Sequence, residues 1–337
     1  MPEALRATLR ALYLFDVSDN IGLDQVWDKL RLTEGDRLSR SPESLGGAVR
    51  VRRAEGTVAL YEFGVVSVAI EVPFSGTWEA LAARTAELVD DSQLPTAARR
   101  LAQSVVAGLQ GLLQSPYDDW LTEDYVIARF EPGTPLLEQY GPLVAQLVRN
   151  ESQPLSALEE RAVLEGALSC YGSDLLVAGW ASAVVCDAGE GAEISMQLIE
   201  YANCQLLEFR HYDAVLKQAL REMAKSLGQR RWWRHWRIAR EAARIHQMLL
   251  EVREITERSD NALRLFGDMF YARAHRVIAS RIGVDDFRRI VEGEMATMRE
   301  QYQFLMDESS SQRAFLLEAA VVAILVIELV MLLAERK

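Results

Sequence analysis

GTVALYEFGVVSVAIEVP, residues 56–73, decides how the first half of the chain folds. Two runs rich in β-branched and aromatic side chains meet at Glu62-Phe63-Gly64, and a glycine between such runs marks a turn, so the pattern predicts a hairpin. Working outward, Ala7–Asp16, Val49–Ala54 and Tyr125–Phe130 read as strands. Gly76–Asp90, Thr96–Gln114 and Leu136–Val148 read as helices, the last held between Pro135 and Pro154. Asp174–Asp187 (DLLVAGWASAVVCD) reads as a final buried strand, and the glycine-rich acidic piece that starts at Asp187 marks a boundary.

Beyond that boundary the texture changes to long helices. Leu206, Phe209, Leu216, Leu220, Met223 and Leu227 recur at 3-4 spacing, with Asp213 as the polar member, which is a coiled-coil seam. A second seam runs Ile245, Met248, Val252, Ile255, Ser259, Ala262, Phe266 and Met269, ending near Gly283. A third helix starts around Asp285 and leads through Ser309-Ser310-Ser311 to the C-terminal stretch. The expected fold class is therefore α+β: a mixed α/β domain over 1–188, a long antiparallel helical coiled-coil region over 189–312 and a hydrophobic helix over 313–337.

The last segment, AFLLEAAVVAILVIELVMLLA at 314–334, is apolar for about the length of a bilayer span. Its fourteen large apolar side chains offer about −7 kcal/mol of insertion energy, against about +5 to +6 kcal/mol for two deeply placed carboxylates. The sum favours a membrane anchor made of Ala314, Phe315, Leu316, Leu317, Glu318, Val321, Ile324, Ile327, Glu328, Met331 and Leu333. The competing reading is a helix packed in an oligomeric bundle. In a straight antiparallel pair Glu328 would then lie level with about Ile238, among Arg237, Arg240 and Arg244.

Lys and Arg total 37 against 49 Asp and Glu, and the resulting net charge of −12 argues against a general nucleic-acid coat. Cys170, Cys186 and Cys204 suit neither a disulfide framework nor a zinc site, and read as reduced core thiols. Met1–Leu14 interrupts its leucines with Glu3, Arg6 and Arg10, so secretory export is not expected. With the anchor, these features predict an inner (cytoplasmic) membrane protein whose large domains lie on the cytoplasmic side.

The most unusual composition is QRRWWRHWRIAR, residues 229–240. On a helix Arg230, Arg231, Arg234, Arg237 and Arg240 would meet anionic lipid headgroups or RNA phosphates, with Trp232, Trp233 and Trp236 at headgroup level or stacked on bases. The same residues would serve equally as solvated arginines and core tryptophans of a bundle. His211, His235, His246 and His275 show no ligand spacing, and only a weak divalent site at Glu208, His211 and Asp213 suggests itself. The sequence carries no P-loop, no dinucleotide fingerprint and no serine elbow, so catalytic residues, cofactors, metals and a small-molecule substrate are not expected.

LRALYLFD (9–16), VALYEFGVV (58–66), IEYANCQLLEFRHYDAVL (199–216), LEVREITERSDNALRLFGDMFYAR (250–273) and RAFLLEAAVVAILVIEL (313–329) together resemble the YagE-like family of proteins named as required for meiotic nuclear division. The resemblance implies a membrane-associated, self-assembling protein of unknown molecular activity, with animal members supporting mitochondrial translation. It brings no catalytic residues. The expected function is thus a non-enzymatic, homo-oligomeric membrane scaffold whose partners are its own copies and membrane lipids. The alternatives are an RNA- or ribosome-associated adaptor supporting translation and a soluble enzyme with a dispersed site, which would need a deep polar pocket in the first domain.

Overall fold

The computed structural model describes residues 5–34, 37–42, 46–90, 93–133, 135–151, 153–227, 250, 269–301, 303, 321, 322, 324, 325 and 331. Strand β1 (Leu5–Ile21) is buried at every position from Ala11 to Ser18. Helices cover both faces of the sheet at this strand, which is why its sequence is a nearly continuous apolar run and not an alternation. It pairs antiparallel with β5 (Val65–Gly76) on one side and β6 (Leu113–Phe130) on the other. Strands β2 (Leu38–Arg40), β3 (Val49–Arg52) and β4 (Thr57–Leu60) extend the sheet past β5. Strands β7 (Leu175–Ala178) and β8 (Ser182–Cys186) extend it past β6, giving the order β2-β3-β4-β5-β1-β6-β8-β7. The β6–β8 pair is parallel and the other pairs are antiparallel, so the eight-stranded sheet is mixed.

The runs within residues 56–73 form β4 and β5, joined through the Tyr61–Gly64 turn. Gly64 sits at φ +91°, and a Cβ there would fall 1.7 Å from the Ser18 carbonyl oxygen, so the turn requires glycine. Its carbonyl in turn accepts from the Val17 amide at 3.0 Å, tying the hairpin to β1.

Alternation along β1 sorts the core into two layers. Ala7, Leu9, Ala11, Tyr13, Phe15 and Val17 pack with α1 (Leu23–Glu34), α2 (Trp78–Asp90), α3 (Gln93–Gly108), α4 (Leu136–Arg149) and α5 (Ala157–Leu164). The opposite set, which includes Arg10, Leu12, Leu14 and Asp16, faces α6 (Gly189–Leu227): Arg10 meets Glu193, and Asp16 meets His211. Every residue of α6 from Leu198 to Phe209 is buried. Helix α7 (Met269–Ile282) buries Ala274, His275, Ile278, Ala279 and Ile282, with the His275 ring 5.6 Å from that of Tyr201. A helix over 284–301, α8, follows. Residues up to Asp213 together with 269–289 form one compact unit, and 214–227, 250 and the described residues from Ile290 onward form a second. Within the second, Leu216, Val291, Met295 and Met298 are buried and Lys217 Nζ lies 3.7 Å from Glu294.

This architecture corrects the expected fold class. The described residues contain an eight-stranded mixed sheet with helices, and neither a long coiled coil nor an apolar C-terminal helix. Leu206 and Phe209 do not line a seam: the neighbouring Leu207 and Glu208 are buried with them, because α6 is enclosed on all sides at this level and not along one 3-4 stripe. Of the second seam, Met269 is described and is exposed; the other members lie outside the described residues. Among the described residues no helix is long and apolar enough to cross a membrane, which corrects the expected transmembrane helix and the inner-membrane location built on it. Val321, Ile324 and Met331 are helical and exposed, while Ala314, Phe315, Leu316, Leu317, Glu318, Ile327, Glu328 and Leu333 lie outside the described residues. The single strand expected over 174–187 is the β7–β8 hairpin, turned at Gly179, where a Cβ would meet the Val148 carbonyl oxygen at 2.5 Å. Cys186 and Cys204 are buried, whereas Cys170 is exposed.

His275 gives the core a pH dependence. It is 3% exposed, neither ring nitrogen has a hydrogen-bond partner, and burial pushes its pKa down to about 4 from the ordinary 6.5. The folded state binds the proton less well than the unfolded chain, so this contribution to stability is whole above pH 6.5 and is lost as pH falls toward 4. The two values correspond to about 3 kcal/mol at 1.36 kcal/mol per pH unit. Urea denaturation of wild type and His275→Leu from pH 7 to 4 tests this: the wild-type midpoint falls faster on acidification, and parallel pH profiles would refute the role of His275.

Candidate anion-binding cleft

Strand β3 reads Val49-Arg50-Val51-Arg52, and its alternation sends the two valines into the core with α1 and α3 and the two arginines to the face that carries α6. Similar alternation puts Arg10 of β1 and Arg129 of β6 on that face, opposite the apolar layer that holds Leu9, Ala128 and Phe130. The sheet register sets these residues in a diagonal. Arg52 lies opposite Thr57, Thr57 opposite Ala69, Glu71 opposite Arg10, and Arg129 opposite Thr8. From β3 to β6 the diagonal crosses four strand spacings, roughly 19 Å.

An open cleft of about 720 Å³ follows this diagonal. Its wall is built from Arg10, Arg37, Leu38, Ser39, Arg50, Arg52, Arg53, Ala54, Glu55, Gly56, Thr57, Ala69, Glu71, Arg129, Glu193 and Gln197. Six arginines face three glutamates, a formal excess of three positive charges on a chain whose net charge is −12. Gly56 closes the β3–β4 turn, where Arg53 N donates to its carbonyl at 2.8 Å. A Cβ on Gly56 would meet the Ala69 carbonyl oxygen at 2.5 Å, so the close approach of the turn to β5 depends on its lack of a side chain.

Two arginines are fixed. Arg50 donates through Nη1 to Glu200 Oε2 at 2.7 Å, through Nε to Ser41 Oγ at 2.8 Å and through Nη2 to the Tyr61 hydroxyl at 3.2 Å. Burial opposes its charge, but Glu200 beside it raises its pKa further above the ordinary value. Burial, reinforced by Glu200, also pushes the Tyr61 phenol well up, so it stays neutral. Arg10 is held by Glu193 through Nη1 at 3.0 Å and Nη2 at 2.9 Å, and by Glu71 through Nε at 3.1 Å and Nη2 at 2.5 Å. Burial works to raise the Glu193 carboxyl, and the Arg10 guanidinium outweighs it and holds the pKa below the usual range. Three of the others are less committed. Arg37 and Arg52 are exposed, and Arg129 contacts Glu131 at 3.3 Å while its Nε is buried without a hydrogen-bond partner.

Permanently charged donors on a rigid sheet bind anions. Among the described residues the wall holds no histidine, cysteine, lysine or tyrosine; two of its three carboxylates are tied to Arg10, and Glu55 is the third.

A second polar cluster lies farther along β1. The buried Asp16 places Oδ2 2.6 Å from His211 Nδ1, and the Tyr117 ring stacks on His211 at 4.9 Å while its hydroxyl donates to Asp19 Oδ1 at 2.5 Å. Burial raises the Asp16 carboxyl against the opposing His211 contact. His211 thus serves the Asp16 carboxylate, and the described residues contain no cluster of three or more metal-ligating side chains.

The residues expected to contact lipid or RNA, Arg230, Arg231, Arg234, Arg237, Arg240, Trp232, Trp233 and Trp236, all lie outside the described residues. Residues 49–54 read as a strand from sequence, which missed the cleft; the signal for it was the alternating VRVRR of residues 49–53, and bringing Arg10 and Arg129 to it required the sheet register.

The family described as "Uncharacterized protein MJ0711, N-terminal domain" matches residues 6–193. The chain belongs to this family. The matched span takes in all eight strands from Arg6 onward and the cleft wall except Gln197. The chain is similar to uncharacterized protein MJ0711 of Methanocaldococcus jannaschii, at 18% identity over 211 residues, covering 63% of this chain and 65% of that protein. No solved structure matches.

Glu200 lies 2% exposed against Arg50, so Glu200→Ala strands a buried guanidinium and is expected to lower stability by about 3–5 kcal/mol in denaturant titration. Replacing both residues, Arg50→Met with Glu200→Leu, is expected to recover much of that loss. A double variant as unstable as Glu200→Ala would refute this account of the pair.

Proposed function

We propose that this protein is a non-enzymatic adaptor that binds RNA through the arginine cleft of its β-sheet domain. The observation that carries the reading is the convergence of six arginines on one cleft in an otherwise acidic chain. Arg10, Arg50 and Arg129 meet carboxylates, and the exposed Arg37 and Arg52 add like charge to the same concave surface, which lowers stability unless an anion neutralises it. A diagonal about 19 Å long suits a strand with successive phosphates. The wall has no aromatic residue on which bases could stack, so contacts run to the phosphate backbone and binding is indifferent to sequence. The resemblance to YagE-like proteins, whose animal members support translation, agrees with an RNA partner.

Fluorescence anisotropy with a labelled 12-nucleotide RNA tests the reading. Arg52→Ala and Arg37→Ala are expected to weaken binding about fivefold each, and each to flatten the dependence of log K on log salt by about 0.7. Both residues are exposed, so loss of binding is not expected to come from unfolding. Absence of RNA binding by the wild type, or full retention of it in both variants, refutes the proposal.

A further inference from the structure

The guanidinium of Arg10 carries two carboxylates where one suffices. Glu193, projecting from the first turns of α6, takes it in a bidentate grip on both terminal nitrogens. Glu71, directly across the β1–β5 ladder, takes Nε and Nη2 as well. The trio therefore carries a net charge of −1 inside a wall that is otherwise positive, and the two carboxylates repel each other across a single cation. They are not equally held. Glu71 is 55% exposed and projects from the sheet into the open cleft, whereas Glu193 is 43% exposed and also closes the contact to α6.

We propose that Arg10 is a phosphate subsite of the cleft and that the Glu71 carboxylate is its built-in stand-in. A phosphate can offer two oxygens to the Nε–Nη2 edge of the guanidinium, where Glu71 now places the single oxygen Oε1 between both nitrogens. An ion pair as exposed as that of Glu71 contributes little to stability, so the side chain can swing into solvent at small cost and surrender the edge. Glu193 keeps its grip on the other nitrogens, and Arg10 stays aimed at the incoming group. The subsite discriminates by charge, since an anion must outcompete a carboxylate already in place. This assignment rests on the reading of the cleft as an anion-binding site, but it concerns one guanidinium edge and can fail by itself.

Glu55 supplies the control, because it lines the same cleft with the same charge and is not bonded to Arg10. Glu55→Gln reports the through-space effect of removing one negative charge; Glu71→Gln adds the vacated edge. Binding of the 12-nucleotide RNA and of inorganic pyrophosphate is measured on the full chain for wild type and both variants, with thermal melting as a check on folding. With RNA, Glu71→Gln is expected to bind about tenfold tighter than wild type and to steepen the salt dependence by about 0.7, since no displaced carboxylate then takes up a cation as the phosphate releases one, while Glu55→Gln gains no more than about twofold. The pyrophosphate arm separates a strand's phosphates from a free one: tightening there alone keeps the subsite and discards RNA as the source. If RNA binds and Arg52→Ala weakens it, yet Glu71→Gln matches Glu55→Gln, the subsite is wrong and the cleft reading stands. If neither probe binds any of the proteins, both are wrong.

Discussion

The Arg50–Glu200 pair joins the sheet to its most deeply buried helix, and the arrangement of the cleft depends on it. Both side chains are nearly removed from water, and a buried charge of either sign without its partner is strongly destabilising. With Ser41 and Tyr61 filling further donor positions on Arg50, the pair sets which residues of α6 stand over which strands. The fold has apolar partners enough without it. What the pair adds is position: it holds Glu193, two turns earlier on α6, against Arg10, and leaves the arginines beyond the start of the helix facing an uncovered stretch of sheet.

That arrangement separates two kinds of arginine. Arg10 and Arg50 have their charges answered within the protein, Arg50 by a buried carboxylate and Arg10 by two partly exposed ones. Arg37, Arg52 and Arg129 retain donors that, among the described residues, are exposed or unmatched. Static positive charge on a sheet is a binding device. It positions an anion with little reorganisation, and it supplies no group that gains or loses a proton near neutral pH.

Membership of the MJ0711 N-terminal domain family fits the same division. The match ends at Glu193, the residue of α6 that grips Arg10. The family span thus contains the sheet, its apolar layer of helices and the arginines of the cleft, and stops where α6 begins to cover the opposite face.

Several elements were legible in the residues alone. The hairpin of 56–73 declared itself by two β-rich runs around Gly64, and the helices over 76–90 and 136–148 by periodicity and proline. Local pattern failed where a residue's state is set by partners distant in sequence. The 3-4 spacing in α6 read as a coiled-coil seam because periodicity registers one apolar stripe and cannot show that Glu208 within it, and Glu200, Asn203 and Gln205 just before it, are buried too. The first half of β6 reads as polar and turn-like, and it is a strand because β1 pairs with it. Sequence by itself determined the alternation at 49–52, hence that two arginines share a face. Only the tertiary structure decided that Arg10, Arg52 and Arg129 line one cleft, since strands 40 to 120 residues apart meet through hydrogen-bond register, which is a property of the assembled sheet and not of any one segment.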